Sequence, residues 1–146
     1  MPLISVTRLR IRSWRYFLPF VWQTSKSARQ AERSAGFLGG RLLRNRKNTF
    51  WTLTVWQDEA AMNAFRSGAA HGRVMRKLLE WCDEAAVVHW RQETPDLPSW
   101  PDAHRRMMKD GWASKVSHPS AAHKSNQIPP PEPSRIEQAL KPRLER

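Results

Sequence analysis

Cysteine is almost absent from this chain of 146 residues, since Cys82 is its one copy. A single cysteine cannot form a disulfide within the chain, and it cannot build a zinc site from cysteine ligands. A chain of this kind fits a reducing compartment, so we expect a cytoplasmic protein. Two acidic residues follow Cys82 directly and should raise the pKa of its thiol, which predicts a structural cysteine and not a nucleophile.

Long apolar runs are also missing. The apolar stretch at residues 16–22 is too short, and too interrupted by Pro19, to be the core of a signal peptide. No segment approaches the roughly 20 apolar residues that a transmembrane helix needs. Residues 12–22 mix basic and bulky apolar side chains, as interfacial helices do. The shortness of the segment and Pro19 favour a packed helix instead, so we do not expect contact with a membrane.

Acidic side chains are scarce in the first third of the chain, where Glu32 stands alone against eleven Arg and Lys in residues 1–47. The whole chain carries a net charge of +12. Such a field favours anionic partners, or it belongs to a solvated basic surface. RNA-recognition modules carry a basic-glycine-aromatic signature on an exposed strand, and residues 49–56 lack it. We therefore do not expect nucleic-acid binding, although a basic nucleic-acid-binding module stays open as an alternative function.

Apolar residues become rare after residue 110, where Ser, Pro, His and Lys take their place. Residues 126–133 read Asn-Gln-Ile-Pro-Pro-Pro-Glu-Pro. A segment of this composition cannot bury enough apolar surface to offset the entropy that is lost when it becomes ordered. We predict a folded domain over residues 1–110 and a disordered, basic, Pro/Ser-rich tail over residues 111–146.

Residue alternation and helical spacing predict four strands and two helices in the folded part. The strands are predicted at residues 3–12, 37–46, 49–57 and 85–92. The helices are predicted at residues 19–35 and 58–82, the second with an interruption at Ser67-Gly68. The resulting order βαββαβ is that of an α+β, ferredoxin-like fold with a four-stranded antiparallel sheet.

The third predicted strand is apolar on both sides. Trp51, Leu53 and Val55 alternate onto one side, while Phe50 and Trp56 lie on the other. If both helices cover the same face of the sheet, the aromatic side chains of the opposite face meet water, and such a patch usually contacts a partner. The simplest partner is a second copy related by two-fold symmetry. We therefore predict a homodimer built sheet against sheet, a dimeric α/β barrel.

Two segments carry a resemblance to a known family. They are Thr52-Leu-Thr-Val-Trp-Gln-Asp-Glu-Ala-Ala-Met-Asn-Ala-Phe65 and Ala69-Ala-His71. A strand that ends in Trp, an acidic helix start and a small-small-His segment, in this order, resemble the antibiotic-biosynthesis-monooxygenase-like superfamily of dimeric α/β barrels. Residues 36–43 and 85–90 are similar to a bacterial branch of that superfamily, related to spheroidene monooxygenase.

The resemblance implies a monooxygenase-like protein with a pocket between helices and sheet. Members of the superfamily include oxygenases without a cofactor that act on phenols or quinols, haem-degrading oxygenases and haem-containing carotenoid oxygenases, and other members have no demonstrated activity. The sequence requires no cofactor, and the resemblance allows haem. A non-catalytic, ligand-binding or structural homodimer is the alternative.

Most of the functional residues of the haem-degrading members are replaced by other residues in this chain. They are an Asn on the first strand, a Trp on the second helix and a later His. Their positions fall near Thr7, on Phe65 and on His71, so two of the three residues differ. The resemblance therefore does not favour haem degradation, whereas haem binding stays open.

His71 is the candidate catalytic residue, as a base or as a haem ligand. Val74, Met75 and Leu78 follow it at spacings that share one helix face, which predicts that His71 points toward the apolar side. A neutral imidazole there can deprotonate a phenol or ligate haem iron, or it is a partly buried histidine bonded to the backbone. The predicted pocket for a flat hydrophobic or aromatic ligand also contains Thr7, Trp22, Phe65, Met75 and His89. No metal site is predicted from the histidine spacings.

Overall fold

A computed structural model describes residues 1–132 and 136–143, and for residues 69–73 it describes the backbone alone. The strands are β1 (Leu3–Ile11), β2 (Phe37–Asn45), β3 (Thr49–Trp56), β4 (Cys82–Arg91), β5 (Trp112–Ala113) and β6 (Glu137–Leu140). The helices are α1 (Phe17–Glu32), α2 (Glu59–Arg66), α3 (Ala69–Trp81), α4 (Trp100–Asp110) and α5 (Ala121–Lys124), and a 3-10 turn, Trp14–Tyr16, precedes α1.

The strands form one sheet in the order β5-β4-β1-β3-β2-β6, and every pairing is antiparallel. The four inner strands have the ferredoxin-like arrangement, which confirms the predicted fold class. The predicted number of four strands is wrong, because β5 and β6 extend the sheet to six. Both additions pair with an outer edge of the core, β5 with β4 and β6 with β2, where backbone groups would otherwise lack partners.

Local sequence signals set the positions of the turn and the second helix. Lys47 and Asn48 both have positive φ, 58° and 56°, and such a two-residue turn matches the twist of the hairpin between β2 and β3. Asp58 caps α2 because its carboxylate accepts a hydrogen bond from the backbone N–H of Ala61 at 2.8 Å. Both features lie at predicted boundaries, between the strands at residues 37–46 and 49–57 and at the start of the helix at residues 58–82.

Helices α1, α2 and α3 cover one face of the sheet. Phe20, Ala28 and Ala31 of α1 are buried, as are Met62 of α2 and Val74 of α3. The predicted interruption of the second helix is also present, since α2 ends at Arg66 and α3 begins at Ala69. Among the described residues, no helix has the length and the apolar character that a bilayer crossing requires.

Helix α4 covers the opposite face of the sheet, which was expected to be bare. Ala103 and Met107, one helical turn apart, are fully buried and pack in one cluster with Trp51, Leu53 and Val55 of β3. The expectation that aromatic side chains on this face are exposed to water is therefore wrong, since α4 of the same chain covers them. The homodimer stays a prediction, but it no longer has this exposed face as its basis.

Parts of the segment predicted to be a disordered tail pack against the domain. Val116 and Leu140 are buried, and the Glu32 carboxylate accepts a hydrogen bond from the backbone N–H of Lys141 at 2.9 Å. This segment needs no core of its own. A few apolar anchors and the pairing of its backbone with existing strand edges are sufficient to order it.

The burial of α4 yields a stability test. We expect Met107→Ala to lower the free energy of unfolding by about 2–5 kcal/mol, because it leaves a cavity beneath Trp51. The neighbouring Met108 is 60% exposed, so Met108→Ala should change stability by no more than about 0.5 kcal/mol. Urea unfolding of both variants measures the difference, and equal effects would contradict the packing of α4.

Candidate ligand cavity

A cavity of about 240 Å³ lies between the sheet and helices α1, α2 and α3. Alternate residues of β1, β3 and β4 form its floor, because successive side chains of a strand point to opposite faces. Apolar side chains of the three helices form most of its walls. They include Met62, Phe65, Met75 and Leu79.

Four hydroxyl side chains lie together on the floor of the cavity. Ser5 and Thr7 of β1 are directly opposite Thr54 and Thr52 of β3 in the strand register, and all four line the cavity. The Trp56 indole N–H donates to the Thr54 hydroxyl at 3.0 Å. Hydroxyl groups both donate and accept hydrogen bonds, so this row can orient an oxygen substituent of a bound molecule.

One wall of the cavity is aromatic. The rings of Trp56 and Phe65 are stacked, with centroids 5.1 Å apart and an interplanar angle of 27°. Trp56 is buried, whereas Phe65 is half-buried. On α3, Met75 and Leu79 line the cavity and are 42% and 39% exposed. The cavity therefore reaches solvent beside α3.

His89 of β4 supplies an imidazole to the cavity wall, and its ring meets the Trp112 ring edge-to-face at 5.4 Å. Burial lowers the pKa of His89 below its ordinary value, the positive charge of Arg66 lowers it further, and Glu59 opposes both. The imidazole is therefore neutral at neutral pH. A neutral imidazole in a largely apolar cavity can accept a proton from a ligand.

The predicted pocket residues are mostly brought together. Thr7, Phe65, Met75 and His89 all line the cavity. His71 belongs to α3 by its backbone, but its side chain lies outside the described residues, so its role stays a prediction.

Trp22 is not a pocket wall, and that prediction is wrong. It is 62% exposed and lies two positions after the buried Phe20, which places it on the far side of α1. Its ring instead meets the ammonium group of Lys26, 5.3 Å from the ring centroid.

Several cavity residues were not found from sequence. Trp112, Ser114, Val116 and Leu140 reach the cavity from the segment that was predicted to be disordered. The isolated apolar residues in that polar segment are the signal that could have found them. Ser5 was also missed, because its position opposite Thr54 depends on the register between β1 and β3.

A buried ion cluster lies on the other face of the sheet. Arg8 and Arg10 donate to the two carboxylate oxygens of Glu84 at 2.7 and 2.9 Å, and the Ser120 hydroxyl donates to Glu84 at 3.1 Å. Burial by itself would raise the pKa of Glu84, but the hydrogen bonds from Arg8 and Arg10 outweigh it, so the pKa is lowered. The Asp83 carboxylate, 3.6 Å from the Arg10 guanidinium, supplies a second negative charge, and the Ser120 contact ties the C-terminal segment to β4.

Metal and thiol chemistry find little support in the described part of the chain. Among those residues, no group of three or more His, Cys, Asp or Glu could hold a metal ion. Cys82 is fully buried, and burial, with Asp83 beside it, raises the pKa of its thiol to about 12. The thiol therefore stays protonated, in agreement with the structural role predicted for it.

The ferredoxin-like core with its helix-covered cavity is similar in fold to solved structures of an oxygenase and of predicted antibiotic biosynthesis monooxygenases. Residues 17–113 match the model of a domain of unknown function, DUF3291, and the chain belongs to that family. A comparison with curated protein sequences finds no match.

Solved structures share the fold at low sequence identity. SnoaB from Streptomyces nogalater, a cofactor-independent oxygenase solved as the mutant N63A, is 19% identical with a TM-score of 0.52, and the match covers 67% of this chain and 98% of SnoaB. A predicted antibiotic biosynthesis monooxygenase from Nitrosomonas europaea is 13% identical with a TM-score of 0.57, and the match covers 64% of this chain and 92% of that one. About a third of this chain thus lies outside the shared fold.

The charges around His89 yield a titration test. We expect Arg66→Ala to raise the pKa of His89 and Glu59→Gln to lower it, because these side chains act on the imidazole with opposite signs. Histidine NMR titrations measure both shifts. Arg105→Ala on α4 serves as the control and should leave the pKa unchanged. A His89 pKa at or above 6.5 in the unmodified protein would contradict the described burial.

The same shift predicts a dependence of stability on pH. Since the pKa of His89 is lowered in the folded protein, the unfolded state binds the proton first as the pH falls below about 6.5. The free energy of unfolding therefore decreases as the pH falls through that window, until the folded imidazole is also protonated. His89→Gln should remove this component, and the difference between the two proteins in urea unfolding from pH 7.5 to 5 measures it.

Proposed function

We propose that this protein binds a flat, mainly apolar molecule in the cavity and oxygenates it without a cofactor. The observation that supports this proposal is the composition of the cavity wall. The Trp56–Phe65 stack offers an aromatic surface, and the row of hydroxyls on the floor offers the polar contacts. Apolar pockets with a few convergent polar groups are typical ligand sites.

The size of the cavity favours a small ring system. Its volume of about 240 Å³ lies below the range of about 300–1,000 Å³ that is usual for pockets of drug-sized ligands. A phenol or quinol with about two fused rings suits this space, whereas the macrocycle of haem does not. The cavity residues therefore fit haem poorly, and no role of haem enters the mechanism.

The neutral imidazole of His89 supports a mechanism that begins with proton removal. His89 takes the proton of a phenolic hydroxyl, and the electron-rich phenolate then reduces O₂. One oxygen atom enters the ring, the other leaves as water, and a phenol and O₂ become a quinone and water. The substrate supplies all the electrons. The apolar wall excludes water from the reacting anion, and the floor hydroxyls hold the oxygen substituent. His71 is the second candidate for the base, on the sequence argument.

A binding experiment tests the location of the site. We expect Thr7→Phe to weaken the binding of 1-naphthol about tenfold or more, because the larger ring fills the cavity. Thr7→Ser keeps the hydroxyl group without adding volume and should stay within about threefold of the unmodified protein. Quenching of tryptophan fluorescence under anaerobic conditions measures the affinity, with unfolding midpoints of all three proteins as the folding control. Equal affinities in all three would place the ligand elsewhere.

Oxygen consumption tests the chemistry. With 1-naphthol, one naphthoquinone should form for each O₂ consumed. Loss of the base should slow the reaction by about 10²–10⁴-fold, so His89→Gln and His71→Ala together identify which histidine acts. Saturable binding without oxygen consumption would support the alternative, a non-catalytic ligand-binding protein.

A further inference from the structure

Helix α1 carries a second apolar surface on the side that faces away from the sheet. Trp14, Leu18 and Trp22 are 68%, 76% and 62% exposed. Leu18 and Trp22 are four residues apart and share one side of α1, and Trp14 lies in the turn before the helix. An amphipathic helix of a globular protein normally places polar residues on this side.

Basic residues continue the same outer surface. Lys26, Arg29 and Arg33 are exposed at the C-terminal half of α1, and helical geometry places them on the same side as Trp22. Glu32, the single acid of α1, is buried and binds the backbone of the C-terminal segment. The outer face of α1 therefore combines bulky apolar side chains with positive charge and has no exposed carboxylate of its own.

The mouth of the cavity lies beside the neighbouring helix. Helix α3 packs against α1, and its Met75 and Leu79 are both exposed and part of the cavity wall. Arg76 and Lys77 are exposed on the same helix. The two outer helices thus present apolar and basic groups next to the opening of the cavity.

We propose that α1 and the turn before it dock on the surface of an anionic lipid bilayer. Trp14, Leu18 and Trp22 enter the interface, and Lys26 and the arginines that follow it contact the headgroups. Large apolar residues with basic ones on an exposed helix are what interfacial helices use. The exposed charges of this face are all positive, and the chain carries a net charge of +12, which complements an anionic lipid surface. Base stacking has no use for Leu18, so we choose lipid over a nucleic-acid partner.

This proposal revises the sequence-based expectation for the segment. Pro19 lies in the first turn of α1, where proline is tolerated, and the helix does pack by its inner face. Packing by one face leaves the other face free to bind. Entry of an apolar ligand from the bilayer into the cavity is a consequence that rests on the proposed function, whereas docking itself does not.

Co-sedimentation of the full chain with lipid vesicles tests the docking. We expect binding to vesicles of 30% phosphatidylserine and 70% phosphatidylcholine, weaker binding at high salt, and a blue shift of tryptophan fluorescence. The variant Leu18→Ala/Trp22→Ala should lose most of the binding. Met108→Ala on α4 also removes an exposed apolar side chain and should bind like the unmodified protein.

A charge-matched pair of variants tests the location. The triple variant Lys26→Gln/Arg29→Gln/Arg33→Gln should bind the anionic vesicles about 100-fold more weakly, at about fivefold for each basic residue. The variant Arg105→Gln/Arg106→Gln/Lys109→Gln changes the net charge equally on α4, where all three residues are exposed, and should stay within about threefold of the unmodified protein.

Three results would overturn the proposal. They are no binding to the anionic vesicles at low salt, equal loss in the two triple variants, and binding of single-stranded RNA without binding of vesicles. Thr7→Phe separates docking from the cavity, because it should sediment with vesicles like the unmodified protein while it loses affinity for 1-naphthol. If the unmodified protein binds vesicles but neither binds nor oxygenates 1-naphthol, the docking is sustained and the proposed function is rejected.

Discussion

The structure depends on covering a sheet that is apolar on both faces. Strand β3 places Trp51, Leu53 and Val55 on one side and Trp56 on the other, and all four are buried. Side chains of this size cannot stay in water without a large loss of hydrophobic free energy. Helices α1, α2 and α3 cover one face of the sheet, and α4 covers the other. Both faces are therefore covered from within one chain.

The two covered faces differ in the size of their side chains, and this difference produces the cavity. On the α4 side, Trp51 and Met107 fill the space between sheet and helix. On the other side, the strands present small side chains such as Ser5, Thr7 and Thr52, and the helices leave a cavity above them. The same hydroxyls that are too small to fill the space supply its polar contacts. The incomplete packing between this face and its helices therefore creates the candidate ligand site.

Helix α1 contacts the sheet with its inner face and solvent with its outer face. Its inner face, with Phe20, Ala28 and Ala31, is bound to the sheet, while Leu18 and Trp22 on its outer face remain exposed beside basic residues. The chain carries a net charge of +12, and on α1 the basic side chains lie next to exposed apolar side chains. The exposed part of α3 next to it opens the cavity toward solvent.

The sequence determined the α+β class, the strands of the ferredoxin-like core, the N-cap at Asp58 and the division of β3 into two apolar sides, because these depend on local spacing and turn chemistry. It also selected Thr7, Phe65, Met75 and His89, which line one cavity. It could not decide what covers the second face, since the partner of a strand or helix far away in the chain follows from packing and not from local pattern. The same reason explains why Trp22 was expected in the pocket and Ser5 was overlooked. Only the tertiary structure, through the register of β1 with β3 and the pairing of β5 and β6 with free strand edges, decided that the polar C-terminal segment belongs to the domain.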